Sequence, residues 1–454
     1  MRYPPLRPII TRASTYNNQI SLSACRFKSK KALRAPVEEE KDEHYVANEY
    51  FPLDAGQFLI NKYKIISKLG WGRTSTVWFA RDEDRRPRFR YVAIKATNRN
   101  QMAKRVARQE IELGKTVFSR KTSHPGRKFI RVAHDSFDLQ GYMSGKHVCM
   151  VMEPLRAPLG KVRSHGSKKP VPSQNIRAVL PSMLQALDYL HSEARLVHTD
   201  LRSSHFMPPF EEIGVLQDYA EKHTNNPPRR KKTNHRPLYV SLNNFGPMRV
   251  PLTHVLLTDF GYAGYGDEPN NHDIQTDEFV APEVTLRAYW SYPADIWNFG
   301  LMLFDMLGEN LFNGIHTKGH FDARIRFGQM IRVLGPMPAE LYDRAHKDFR
   351  SQFFNKQGEF LHPRFIPDDS FNLENKASML EPIERKLFIN FVKRMLKWLP
   401  EERATAKELL DDPYLSYKSP LDIEFVKPEI VKPVYDGPRP SRHPHPLLQK
   451  KIVW

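Results

Sequence analysis

The chain has 454 residues, 40% hydrophobic and 27% charged, enough to bury a large core in two or three lobes. It has no run approaching the roughly 18 apolar residues of a spanning helix, and its two cysteines, Cys25 in a polar arm and Cys149 in an apolar run, make no disulfide framework and suit a reducing compartment. The net charge of +19 is not gathered into aromatic-interleaved basic patches, so it reads as a solvated surface, and no direct nucleic-acid partner is expected.

Residues 1–37 carry eight Lys/Arg and no Asp or Glu, with Ser and Thr between them. The stretch fits both a mitochondrial transit peptide and a disordered basic arm; Pro4, Pro5 and Pro8 interrupt any helical periodicity. Composition turns acidic at Glu38-Glu39-Glu40, and residues 1–60 as a whole read as a largely disordered arm. Order is expected to begin near Tyr63.

The stretch Tyr63 to Leu69 alternates like a strand and leads into Gly70-Trp71-Gly72-Arg73-Thr74-Ser75-Thr76-Val77-Trp78. Two glycines permit a tight hairpin whose backbone N–H groups can approach phosphates; Ser75 stands where a third Gly is usual. Tyr91-Val92-Ala93-Ile94-Lys95 is a strand ending in a lysine. On its own Lys95 is an ordinary edge lysine, but after such a hairpin it is a phosphate-contacting candidate. Residues 101–117 read as a helix on which Glu110, rather than Glu112, faces back to pair with Lys95.

His147 to Met152 is an apolar strand that runs into Glu153-Pro154-Leu155, a Pro-broken connector. It reads as a hinge whose exposed backbone can hydrogen-bond a purine, with Met152 lining the rear of the pocket. Residues 173–191 form the clearest helix, with Ser173 as its cap and Ile176, Val179, Leu180, Met183, Leu184, Leu187 and Leu190 as a core stripe. Pro181 should kink it or mark a start. The helix delivers Leu196-Val197-His198-Thr199-Asp200-Leu201-Arg202-Ser203-Ser204-His205, where Asp200 is placed to accept or orient a hydroxyl proton, Arg202 to put positive charge nearby, and His198 to pack the loop.

Residues 208–252 carry Pro208-Pro209, Pro227-Pro228 and the basic run Arg229-Arg230-Lys231-Lys232. They read as a polar, partly disordered insert, dispensable for folding because loop closure costs grow slowly with length; the basic run reads as a solvated loop or a nuclear address. The apolar run Val255-Leu256-Leu257-Thr258 then ends in Asp259-Phe260-Gly261, a carboxylate at a strand end able to hold a metal ion. Further on, Ala281-Pro282-Glu283, Asp295 at the start of an apolar helix, and Arg403 in Glu402-Arg403-Ala404 follow. Asp295 is placed to hold the Asp200 loop from beneath, and Arg403 to form a buried bidentate pair with Glu283. Residues 416–454 are proline-rich and read as an extended tail.

Gly70, Lys95, Asp200, Asp259, Ala281-Pro282-Glu283 and Arg403, in this order, resemble the eukaryotic protein kinase family over about residues 61–415. Leu69-Gly70-Trp71-Gly72, Ser75-Thr76-Val77-Trp78, His198-Thr199-Asp200, Asp273-Ile274-Gln275-Thr276 and the long insert narrow the likeness to SR-protein-kinase-like serine/threonine kinases, especially fungal ones. The resemblance implies an α+β, two-lobed fold: a small antiparallel-sheet N-lobe with one main helix (61–155) and a larger, mostly helical C-lobe (156–415). It also implies ATP and Mg²⁺ as cofactors, and Ser/Thr of proteins, including Arg-Ser-rich splicing factors, as acceptors. A nucleotide site of Leu69, Gly70, Gly72, Val77, Lys95, Glu110, Met152, Glu153 and Leu155 follows from it. So do catalytic Asp200 and Arg202, metal-holding Asp259, structural Glu283, Asp295 and Arg403, a monomer, and a cytoplasmic and nuclear location.

Departures stand out against that pattern. His205 occupies the position of the second metal-binding Asn, Arg202 that of a Lys, and Ser204 that of an adjacent acid. An imidazole is a poorer ligand than an amide oxygen for so hard an ion as Mg²⁺, which sets a pseudokinase scaffold beside the working kinase as a second reading. Thr199 and Val280 stand where the family often has arginines that hold a phosphorylated activation loop.

Overall fold

The computed structural model describes residues 37–85, 90–119, 121–141, 145–159, 170–233 and 236–419. The readings of the basic start and of most of the proline-rich tail fall on residues 1–36 and 420–454, outside the described residues.

The N-lobe is a six-stranded antiparallel sheet of β1 (Phe58–Leu59), β2 (Tyr63–Gly72), β3 (Ser75–Asp82), β4 (Tyr91–Thr97), β5 (Asp135–Gly141) and β6 (Gly145–Met152), in the order β1-β2-β3-β4-β6-β5. Gly72 pairs with Ser75, so the hairpin closes on Arg73-Thr74. The Cβ that Gly70 lacks would meet nothing within 4 Å, so the hairpin backbone there is open to close approach. Helix α1 (Gln101–Ser119) covers the other side of the sheet, packing Ala107 and Ile111 against Val148, Met150 and Met152.

The C-lobe shares one large core. Its axis is α2 (Ser173–Tyr189), whose apolar stripe is buried throughout. The helix continues through Pro181, and Ser173 is its first residue rather than a side-chain cap; its hydroxyl instead donates to Glu384 at 3.1 Å. A single π turn (Leu190–Ala194) ends at left-handed Arg195, φ 61°, and turns the chain toward the site.

Two expectations are corrected. The described residues before Tyr63 are already packed: Val37, Tyr50, Phe51 and Leu53 are buried, and Glu39 is fully so. The insert is also structured. It contains α3 (Ile213–Asn225) and a two-stranded ribbon, Arg230–Lys231 with Leu238–Tyr239. Tyr219 of α3 hydrogen-bonds Ser67 (2.8 Å) and the Leu242 carbonyl (2.6 Å), and Leu216 and Ala220 pack with Ile66 and Phe79.

Charge pairing explains both corrections. The buried Lys68 ammonium donates to Glu39 (2.6 Å), Glu38 (3.1 Å) and the Tyr239 carbonyl (3.1 Å), while Arg236 of the insert pairs with Glu39 at 3.1 Å. Arg230 and Lys231 of the basic run meet Asp54 and Glu40 at 2.5 and 2.8 Å, so these two residues are neither a free address nor a solvated loop. The acidic stretch and the basic insert neutralise each other against the outer face of β2, which lets two polar segments fold that neither alone has the apolar content to order.

Candidate active site

The site lies between the lobes. Antiparallel pairing of β3 with β4 sets Val77 opposite Lys95, and pairing of β2 with β3 sets Gly70 opposite Val77. The Lys95 ammonium reaches two carboxylates, Glu110 of α1 at 3.2 Å and Asp259 at 3.3 Å. Glu110 is 3% exposed, whereas Glu112 points outward and takes Lys115 at 2.6 Å. Burial disfavours the lysine's charge, but Asp259 and Glu110 outweigh it and hold its pKa above the ordinary value. Lys95 in turn holds the Asp259 carboxyl well below the usual carboxylate range.

Asp259 has a left-handed backbone, φ 70°, which turns its carboxylate into the cleft. Phe260 is buried edge-on against His198 at 5.2 Å. A side chain at Gly261 would run into Val106 of α1, with Cβ 2.4 Å from its Cγ1. Gln109 of α1 also donates to the Ala263 carbonyl at 2.9 Å. Helix α1 and the turn at Asp259–Gly261 are thus locked together with Glu110 facing inward.

The loop bearing Asp200 is clamped from below. Asp295, at the start of α5 (Pro293–Met306; the one-turn α4, Pro282–Thr285, precedes it), accepts from the backbone N–H of His198 (2.7 Å) and of Thr199 (2.9 Å). Asn298, one turn later on the same helix face, accepts from Leu201 N–H (3.0 Å) and donates to its carbonyl (2.8 Å). Sequence reasoning missed Asn298, although i,i+3 spacing from Asp295 places it on that face. Burial lowers the pKa of His198 and keeps its ring neutral; the ring accepts from Asp200 N–H at 3.3 Å and donates to the Thr258 carbonyl at 3.1 Å. Asp200 itself is 20% exposed, with Arg202 Nε donating to one of its oxygens at 2.8 Å.

His205 lies between the two acids. Its Nδ1 is 2.8 Å from the Asp200 carbonyl oxygen, an acceptor only, so Nδ1 carries the proton and Nε2 faces Asp259, 3.6 Å away. Met152 and Leu155 are buried at the end of β6 and in the connector, with Leu155 bridged to Pro209; Glu153 stands between them, and Leu69 is half-buried at the hairpin. Below the cleft, Arg403 donates twice to Glu283, both at 2.7 Å, in a fully buried fork-to-fork pair.

The activation segment, residues 259–283, has two anchors, at Gln275 and at Arg326. Gln275 donates to the Ala294 carbonyl (2.8 Å) and accepts from Ala281 N–H (2.9 Å). Arg326, wholly buried on α6 (Ala323–Leu334), donates to the carbonyls of Glu278 (3.1 Å) and Val280 (3.0 Å). No local pattern marks Arg326 in the sequence, since it lies 46 residues from its nearer partner.

Lys95→Ala is expected to cut turnover at least ~100-fold. It should also lower the melting temperature, because burial already pushes the Glu110 carboxyl up and the variant removes its cation. Thermal melting and steady-state turnover measured side by side check both, and a variant as fast as the parent would show that Lys95 does not serve the phosphates.

The fold has two lobes, with a lysine–acid pair above the cleft, the Asp200 loop below it and Asp259 between them. Residues 63–214 and 248–415 match the protein kinase domain family model. A serine/threonine protein kinase of Aspergillus fumigatus is 33% identical over 386 residues, covering 84% of this chain and 91% of its own. The serine/threonine-protein kinase SRPK of Physarum polycephalum is 28% identical over 84% of this chain and 92% of its own. The mouse dual specificity protein kinase CLK4 is 28% identical over 83% and 70%. A crystal structure of a kinase domain superposes with a TM-score of 0.60 at 21% identity, covering 81% of this chain and 99% of that one, and shows the shared fold. The chain belongs to the protein kinase domain family, and its relatives include serine/threonine kinases and kinases of the SRPK and CLK kind.

Proposed function

We propose that the protein is a working kinase that transfers the γ-phosphate of ATP to Ser/Thr hydroxyls of proteins. The observation that carries this reading is Lys95 paired at once to buried Glu110 and to Asp259, the arrangement expected of an assembled phosphate site. The substrate hydroxyl would approach Asp200, whose carboxylate takes its proton as the oxygen bonds to the γ-phosphorus and the bond to the β–γ bridging oxygen breaks, releasing ADP. Arg202, beside Asp200, holds one carboxylate oxygen and adds positive charge where the phosphate passes.

The residues present fit a divalent cation at Asp259, whose carboxylate is held ionised by Lys95. His205 Nε2 supplies a second, nitrogen donor facing the same carboxylate. A bound cation would neutralise the phosphate oxygens. Because imidazole suits Mn²⁺ better than Mg²⁺, parent turnover is expected to be higher with manganese. His205→Asn should raise magnesium-supported turnover by roughly threefold to tenfold. Equal rates with both metals, and no gain in the variant, would remove His205 from the metal site and favour the scaffold reading.

Of the exposed acids between 267 and 278, Asp267, Asp273 and Asp277 are met by Arg195, Arg287 and His316, while Glu268 and Glu278 remain to support a basic acceptor despite the net charge of +19. Together with the SRPK and CLK relatives, they favour Arg-flanked serines. Cytoplasmic and nuclear residence is proposed on the same relatives.

Activity should be independent of loop phosphorylation. Thr199 supplies no cation; its hydroxyl donates to the Tyr262 carbonyl at 2.9 Å. The segment is already held by Gln275 and Arg326, and Thr285 is bonded to the Ala281 carbonyl. Phosphatase-treated protein, Thr276→Ala and Thr285→Ala are expected to keep turnover within about twofold of untreated parent. A large loss on treatment, reproduced by one variant, would show that another cation serves the loop.

The direct test is transfer of labelled phosphate from ATP to a mixed peptide library, with Asp200→Asn as control.

A further inference from the structure

The connector after β6 offers the backbone on which a purine would be held, and its first carbonyl is already taken. Arg131 follows the short 3-10 turn Pro125–Phe129, and its N–H donates to the Leu257 carbonyl at 2.9 Å, two residues before Asp259. From there its side chain crosses to the connector. Nε–H and one Nη2–H donate to the Glu153 carbonyl oxygen at 2.9 and 2.6 Å. A carbonyl oxygen has two lone pairs, and these two donors use both.

The guanidinium is close enough to Glu110 and Asp259 to be drawn by both carboxylates as well as by Glu153. Its side chain is half-buried. Desolvation pulls its pKa down to about 10, against the attraction of Glu153, Glu110 and Asp259, two of which line the phosphate site.

This reverses the hydrogen-bonding polarity of the base pocket. A 6-aminopurine presents N–H donors at C6 and needs an acceptor. Here it would meet an occupied carbonyl and a guanidinium with three further N–H donors and no acceptor. A 6-oxopurine presents an acceptor at the same position and satisfies one of those donors. A site built around a donor discriminates against a ligand that leaves it unpaired.

We propose that Arg131 determines base specificity and that the protein binds 6-oxopurine nucleotides, those of hypoxanthine and guanine, at least as tightly as adenine nucleotides. This rests on the reading of the cleft as a nucleotide site. GTP and ITP would then serve as phosphate donors beside ATP, with the same bond made and broken and GDP or IDP released.

The test is calorimetric titration of the full chain with ADP, IDP and GDP in the presence of magnesium, for the parent and for Arg131→Leu. IDP differs from ADP at the group in question, with the oxo form carrying N1–H. The parent should bind IDP as tightly as ADP or tighter. Arg131→Leu, which frees the Glu153 carbonyl, should shift the ADP/IDP preference toward ADP by about tenfold or more. Arg131→Met, similar in length and without a hydrogen-bond donor, takes its place if the leucine variant does not melt cooperatively. A parent that prefers ADP, or a preference unmoved in the folded variant, overturns the role of Arg131 and leaves the nucleotide site standing. Failure of parent and variant to bind any of the three overturns the nucleotide site and the inference with it.

Discussion

Replacement of residues 208–252 by a short Gly/Ser linker is expected to lower the melting temperature by about 10 °C or more. The linker removes Tyr219, Leu216 and Ala220 from Ile66 and Phe79, and Tyr239 from Trp78, whose rings meet edge-on at 5.6 Å. It also strips Arg236 from Glu39, a carboxylate with no solvent exposure, and the Tyr239 carbonyl from Lys68. Glu39 keeps Lys68 but loses one of its two cations, a charged contact worth roughly 1.5–3 kcal/mol, and truncating a buried aromatic costs roughly 3–5 kcal/mol. Either one exceeds the small closure penalty that makes long loops cheap. Arg236→Ala is the point-mutation form of the same test and should take a smaller share of the loss. Differential scanning calorimetry decides it: a linker variant melting within a few degrees of the parent would show that the insert merely rests on the lobe.

The damage should extend to the hairpin. Tyr50 donates to the carbonyls of Gly72 (3.3 Å) and Arg73 (3.0 Å), and Arg236 lies over the Tyr50 ring at 5.0 Å. Insert, acidic stretch and glycine hairpin therefore form one connected assembly. Its loss should weaken nucleotide binding as well as stability.

The sequence was most legible where chemistry is local or the period is regular. Strand β2, the stripe of α2, and the Lys95 strand all declare themselves through alternation or three- and four-residue spacing. The pairing of Lys95 with Glu110 could be read because an inward-facing acid on the next helix leaves few choices. What could not be read depends on contacts distant in the chain. Residues 208–252 look disordered because their polar and basic composition is judged alone, whereas Glu38, Glu39 and Glu40, about 190 to 200 positions earlier, complete them. Arg326 and Arg131 escaped for the same reason. Each is one arginine among many, and its partners are backbone carbonyls, which carry no side-chain signature. His205 was conspicuous as a departure from a motif, but its tautomer depends on the Asp200 carbonyl, which only the folded loop supplies.

Asp200→Asn is expected to reduce phosphate transfer by 10²- to 10⁴-fold, the usual contribution of a positioned general base. Asn keeps the shape and can still accept from Arg202, but it cannot take a proton. The loop should not move, because its clamps run through Asp295, Asn298 and the His198 ring, all bonded to backbone groups. The melting temperature of the variant should therefore match the parent's, separating loss of chemistry from loss of fold.

The most direct measurement is transfer of labelled phosphate from ATP to a peptide library that mixes Arg-flanked and unflanked Ser and Thr, with manganese and with magnesium, for parent and Asp200→Asn. Label is expected on Ser/Thr peptides, richest where Arg flanks the acceptor, with near-complete loss in the variant. No transfer by the folded parent with either metal, or equal transfer by parent and Asp200→Asn, would contradict that expectation.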